Sequence, residues 1–177
     1  MNNINLVGYR GCGKTAVGRK LAEVLQRPFI DSDAVIIKRA GLSIAEFVVE
    51  RGWERFRQLE TEVLIDCCQK NEVVLATGGG AVMASENRTL LQKSGITLWL
   101  QASPETILGR LDNDPQSSAL RPPLSSLDRA DEILAGLKER EVLYRELADF
   151  MIPVDRYGID EIVSQIVSLL GDEILPD

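Results

Sequence analysis

Two stretches carry residue types and spacings that can do chemistry. GYRGCGKT (residues 8–15) fits the pattern G-x-x-x-x-G-K-[ST], with Gly8, Gly13, Lys14 and Thr15 at its fixed positions. Glycines let backbone amides turn inward with no Cβ in the way, and a following helix aims its N-terminus at the same point. Such a loop holds a polyphosphate. Lys14 offers a mobile positive charge to the outer phosphates, and the Thr15 hydroxyl can complete a magnesium shell. FIDSD (29–33) then sets Asp31 and Asp33 one residue apart. Read as extended chain, the two carboxylates share a face just past the carboxyl end of a strand, where α/β proteins bind ligands. One can hold the cation directly or through water. The other can accept hydrogen bonds from the hydroxyls of a second substrate and orient, or deprotonate, the attacking one. The plainer alternative makes Asp33 a helix cap and Asp31 a solvated turn residue.

TGGG (77–80) follows an apolar run. Three glycines in a row cost backbone entropy, so close approach by a ligand accounts for them, with a tight strand-to-helix turn as the alternative. Arg57 has Glu54 and Glu60 at i−3 and i+3, which alone suggests an ion-pair ladder. Arg140 differs, because its i±3 and i±4 neighbours are Gly136, Leu137, Leu143 and Tyr144, none acidic. An arginine on such a face points to a ligand carboxylate or phosphate, or else to stem packing on Tyr144. Arg121 lies in LDNDPQSSALRPPLSSLD, a long stretch without apolar period, either as an ordinary exposed arginine or as the positive charge of a loop that closes over the nucleotide. Cys12, inside the glycine loop, is placed where a helix N-terminus can activate a thiol, and bound nucleotide should then slow its alkylation.

The remaining composition excludes more than it suggests. The net charge of −7 over 177 residues argues against a broad nucleic-acid surface. There is no histidine, which removes Ser-His-Asp, Cys-His and HExxH chemistry. Three cysteines in no CxxC or disulfide pattern suit a reducing compartment. No NKxD motif marks a guanine-specific switch protein, and VVLA (73–76) runs into TGGG with no acid at its end, which shifts the metal-holding duty to FIDSD. The apolar runs are too short to span a bilayer, and no basic segment precedes the first of them, so the expectation is a soluble cytoplasmic protein.

Positioning those residues requires an α/β framework. Short apolar runs at 4–7, 28–31, 73–76, 96–100 and 150–154 predict strands. Amphipathic stretches near 14–26, 34–40, 43–69, 84–93, 104–111, 128–147 and 159–170 predict helices, with Gly52 interrupting the third. The pattern predicts three layers: a five-stranded parallel sheet with helices on both faces.

In order along the chain, G-x-x-G-x-G-K-T, D-S-D, F-R-x-x-E, T-G-G-G, R-P-x-L and R-x-x-L-Y resemble the motifs of the shikimate kinase family, over essentially the whole sequence. The resemblance implies a P-loop NTPase fold with a mobile lid and transfer of the γ-phosphoryl of ATP to the 3-hydroxyl of shikimate, a step of aromatic amino-acid biosynthesis. It implies one kinase domain over 1–177, a lid at about 112–127 and acceptor-binding helices at about 33–61. By motif position Asp33 bonds shikimate hydroxyls and acts as base, Arg57 and Arg140 clamp the carboxylate, and Gly78, Gly79 and Gly80 contact the ring substituents. Gly11, Cys12, Gly13, Lys14, Thr15 and Ala16 hold the phosphates, Lys14 and Arg121 stabilise the transferring group, Thr15 and Asp31 hold Mg2+, and Arg110 and Arg156 flank the adenine. A monomer binding ATP and shikimate, without nucleic acid or membrane, is the expectation. The alternatives are another small-molecule kinase, such as a gluconate kinase, and a non-catalytic nucleotide-binding module.

Overall fold

Strand alternation decides which layer each side chain enters. In the computed structural model, which describes residues 3–114 and 128–171, the strands are β1 (Asn3–Val7), β2 (Phe29–Asp31), β3 (Val74–Ala76), β4 (Gly95–Gln101) and β5 (Phe150–Pro153). All pair in parallel, in the order β2-β3-β1-β4-β5. Ile4, Leu6, Val74, Leu98, Leu100 and Ile152 point to one face of this sheet, and Val7, Leu75 and Trp99 to the other. On the first face lie α1 (Lys14–Val24), α5 (Pro104–Asp112) and α7 (Ile159–Leu170). On the second lie α3 (Ile44–Cys68), α4 (Ser85–Ser94) and α6 (Arg129–Leu147). Both faces are covered, which is why the strands read as unbroken apolar runs.

The elements match the periodicity to within a residue or two at most ends. A short 3-10 turn at Ala81–Met83, absent from the expected pattern, closes the TGGG segment. The helix after β2, α2 (Ser32–Ala40), starts two residues earlier than expected, which changes the geometry of FIDSD as described below. Gly52 does interrupt α3: at φ 80° and ψ 164° it adopts a conformation that L-residues avoid, so the helix changes direction there. Capping fixes the ends that matter for the site. Ser43 and Glu46 form a reciprocal capping box at the start of α3, and Asp128 accepts from the Asp131 amide at 2.9 Å to start α6.

The expected lid at about 112–127, Arg121 included, lies almost entirely outside the described residues; only its first three residues are described, and Asp112 ends α5. No helix among the described residues is long and apolar enough to cross a membrane.

Candidate active site

The carboxyl edge of the sheet collects Lys14, Asp31, Asp33, Arg57, Arg110 and Arg140. Between β1 and α1, Gly11 (φ 79°) and Gly13 (φ 102°) hold left-handed conformations that let the loop curl. Gly13 caps α1, so the amides of its first turn have no intrahelical acceptor and face a cavity of about 280 Å3. Gly11, Gly13, Lys14, Thr15, Ala16, Asp31, Asp33 and Arg110 line it. An anion is the natural occupant of such a helix terminus. The Lys14 ammonium is folded back on the loop, donating to Gly8 O at 2.8 Å and Tyr9 O at 2.9 Å. A phosphate arriving in the cavity competes for those donors. The Cys12 side chain faces the core and is 1 % exposed, so only its backbone is offered to a ligand. The expected reactive thiol is therefore corrected: burial, not bound nucleotide, shields it.

The two aspartates do not share an extended face. Asp31 ends β2 and caps α2: its Oδ1 accepts from the amides of Asp33 (3.0 Å) and Ala34 (3.3 Å). Its Oδ2 accepts from the Thr15 hydroxyl at 2.8 Å. Asp33 is helical, in the first turn of α2, where a negative charge complements the helix dipole. Turning through the helix start sends its carboxylate inward to 8 % exposure. Asp33 lines both the phosphate cavity and a second one.

That second cavity has walls of opposite charge. α3 supplies Trp53, Phe56, Arg57 and Glu60, α6 supplies Arg140, the glycine loop supplies Arg10, and the TGGG turn closes one side. Arg57 Nη1 donates to Glu60 Oε2 at 2.6 Å, and its guanidinium lies 5.4 Å from the Trp53 ring and 5.2 Å from Phe56. This is no surface ladder, because the Glu60 carboxylate is buried. Arg140 is buried too, 5.2 Å from the Tyr9 ring, with Nη1 donating weakly to Gly79 O at 3.4 Å. Its Nε has no hydrogen-bond partner among the described residues. Two guanidinium groups thus have donor capacity for a carboxylate. Tyr144, the alternative packing surface for Arg140, interacts with that side chain, stacks on Trp99 and donates to Gly79 O at 2.6 Å. Burial pushes its hydroxyl far above the ordinary range, so it stays a donor.

The protein's own groups also require the three glycines, whichever ligand approaches them. Thr77 anchors the turn, its amide and hydroxyl both donating to Leu6 O. A Cβ on Gly78 would lie 2.7 Å from Asp33 Oδ1 and 3.0 Å from Glu60 Oε1. On Gly79 it would lie 2.9 Å from the Arg10 amide nitrogen, and on Gly80 2.5 Å from Arg57 Nη2. The Gly78 amide is already spent on Ser32 Oγ at 3.0 Å. Gly78 therefore offers no amide to a ligand, although all three glycines line the cavity.

Other expected residues are placed differently. Arg110 lines the phosphate cavity and donates to Cys12 O at 2.8 Å and Val154 O at 3.3 Å, tying the glycine loop to the segment after β5. Arg156 is exposed beyond β5 and is not among the residues lining the phosphate cavity. Sequence reasoning missed four groups: Glu60, Tyr9, Tyr144 as a donor, and the Arg10–Glu132 ion pair that links the loop to α6. A signal existed for α6, since Glu132, Gly136, Arg140 and Tyr144 recur every four residues and all are buried.

Glu60 carries a pH signature. Burial raises its pKa above the ordinary 4.5; Arg57 opposes this, Asp33 adds to it, and Arg140 opposes it. A carboxyl whose folded pKa is raised stabilises the fold fully below its unfolded value, and that contribution is lost as pH rises through the folded one. Glu60→Gln, which cannot ionise, escapes that loss. Thermal unfolding should show the variant gaining on the parent as pH rises above the ordinary carboxyl value of 4.5. A Tm difference that is flat or shrinks over that range would contradict an ionisable Glu60 under this burial.

Comparison with known proteins agrees with this geometry. The family model described as shikimate kinase matches residues 10–171. Shikimate kinase from Nitratidesulfovibrio vulgaris is 41 % identical over 166 residues, 94 % of each chain. The one from Symbiobacterium thermophilum is 40 % identical over 170 residues, 96 % of this chain and 97 % of that one. Among solved structures, shikimate kinase from Acinetobacter baumannii in complex with shikimate superposes with a TM-score of 0.90 at 37 % identity, covering 96 % of this chain and 93 % of that one. Shikimate kinase from Aquifex aeolicus does so with a TM-score of 0.79 at 34 % identity, over 95 % of each. With a phosphate cradle and an arginine-walled cavity meeting at Asp33, and with these relatives covering nearly its full length, the chain belongs to the shikimate kinase family.

Proposed function

We propose that the protein transfers the γ-phosphoryl group of ATP to the 3-hydroxyl of shikimate, giving shikimate 3-phosphate and ADP within aromatic amino-acid biosynthesis. The observation that carries this reading is the position of Asp33, at the seam between the phosphate cavity and the cavity walled by Arg57 and Arg140. The two guanidinium groups take the carboxylate of the acid. Asp33 accepts a hydrogen bond from the attacking hydroxyl and receives its proton as the new P–O bond forms and the bond to the ADP oxygen breaks. A loose transition state asks little of the base, so orientation is the larger part of that role.

The amides of Gly11, Gly13 and the first turn of α1 hold the phosphates, and Lys14 leaves the loop carbonyls to neutralise charge on the transferring group. Arg121 shares that duty on the resemblance alone. Thr15 and Asp31 fit a magnesium ion. Their oxygens lie 2.8 Å apart, and the described residues contain no denser acidic cluster able to hold a metal. An ion with few protein ligands and a shell completed by phosphates and water matches magnesium's preference. When bound, it neutralises negative charge on the phosphates. The three cysteines are unpaired, which supports a reducing, cytoplasmic setting, and the kinase is read as acting as a monomer in a single domain.

ADP release measured with a panel of hydroxy acids tests the assignment. Turnover should depend on shikimate and be negligible with gluconate. Turnover with gluconate and none with shikimate sinks it, and so does tight ATP binding without any acceptor-dependent turnover.

A further inference from the structure

Position 9 is one that the phosphate-loop pattern leaves open, yet here it holds a tyrosine 1 % exposed. Its ring packs against α6. The Arg140 guanidinium carbon is 5.2 Å from the ring centroid, and the hydroxyl donates to Glu132 O at 3.4 Å. Between those two points α6 carries Gly136, where a Cβ would sit 2.6 Å from the Tyr9 oxygen and 2.8 Å from its Cε2. The helix gives up a side chain where the ring approaches its backbone. The main chain of the same residue serves the other substrate, since Tyr9 O accepts from Lys14.

The ring also has a second side. Behind it lies a separate cavity of about 650 Å3 at the end of β4 between α5 and α6, with Trp99, Ile107 and Leu137 in its walls. Tyr9 lines that cavity but not the acceptor cavity, whereas Arg140 lines the acceptor cavity and not this one. Tyr9 thus borders both that cavity and the Arg140 guanidinium. Besides the Tyr9 ring, Arg140 meets the Tyr144 hydroxyl and makes one long hydrogen bond to Gly79 O, and the residue is 8 % exposed. A cation over an aromatic face is strongest when desolvated, as here.

We infer that Tyr9 is a positioning residue for the acceptor: its ring face holds Arg140 toward the substrate carboxylate and bars it from the cavity behind. The inference rests on the shikimate reading of the site. It extends that reading to a residue whose side chain does not line the acceptor cavity.

Steady-state kinetics on Tyr9→Leu, Tyr9→Phe and Gly136→Ala, with thermal melts as a folding control, test it. Tyr9→Leu should raise the shikimate KM about 10–30-fold, the range a desolvated cation–π contact supports, with kcat and the ATP KM within about twofold. Tyr9→Phe keeps the aromatic face and should stay within about twofold of the parent. Gly136→Ala perturbs the ring from the helix side and should reproduce the selective KM rise with Tyr9 intact. In an Arg140→Ala background, Tyr9→Leu should add nothing to the shikimate KM, an outcome that general damage to the loop does not produce. An unchanged shikimate KM in Tyr9→Leu, or equal losses for ATP and shikimate that persist without Arg140, overturns the inference while leaving the kinase reading intact. Absence of shikimate turnover in the unaltered protein removes both.

Discussion

Asp33→Asn is expected to lower kcat by about 10^2–10^4-fold while the affinity for ATP stays within about twofold. The substitution keeps the size of the side chain and one oxygen acceptor. It also keeps the backbone arrangement at the start of α2, because the Asp33 and Ala34 amides are held by Asp31. What disappears is the charge at the seam of the two cavities, which in the proposed reaction accepts from the attacking hydroxyl and takes its proton. The nucleotide cavity retains Lys14, Thr15, Asp31, Arg110 and the amides of α1, so binding there should survive. Asp33→Ala removes the acceptor oxygen as well and should lie at the severe end of the range. Stopped assays of ADP release, with ATP affinity measured separately by titration, make the comparison. A rate near that of the parent would remove Asp33 from the chemistry.

Arg140→Ala should raise the shikimate KM by about 30–4,000-fold, corresponding to the roughly 2–5 kcal/mol that truncating one member of a buried, hydrogen-bonded charge pair costs. The ATP KM should move by no more than a few-fold, because Arg140 lines the acceptor cavity and not the phosphate cavity. Arg57 cannot fill the gap alone. It is already paired with the buried Glu60, and a Cβ at Gly80 would collide with its guanidinium, which shows how closely it is hemmed in. Arg140→Lys should recover little, since a compact ammonium cannot present the planar pair of donors that a carboxylate accepts. Loss of ATP and shikimate affinity in equal measure would show that the arginine supports the fold of the whole edge and does not clamp the acid.

The strands and helices were legible because each is encoded by near neighbours. Apolar runs such as INLV and ITLWL follow from a sheet covered on both faces, and the phosphate loop follows from glycine spacing before a helix. Arg140 was legible for a similar reason, as an arginine without a local acid turned toward an apolar face. Asp31 and Asp33 were singled out as a pair but misdrawn, because α2 begins at Ser32 and converts an expected extended pair into a cap and an inward-facing first-turn residue. The same limit applies to TGGG. The three glycines make way for Asp33, Glu60, the glycine loop and Arg57, which come from three other parts of the chain.

Sequence alone therefore established the element order, the anion-binding loop and the inventory of charged groups, because propensity, capping and glycine geometry act within a few residues. It could not establish that Glu60 is buried, that Tyr9 lies under Arg140, or that Arg10 pairs with Glu132 some 120 positions away. Those contacts exist because the order β2-β3-β1-β4-β5 brings the ends of distant elements to one edge of the sheet. A side chain's dielectric surroundings and charged partners depend on that assembly and on no local window of residues.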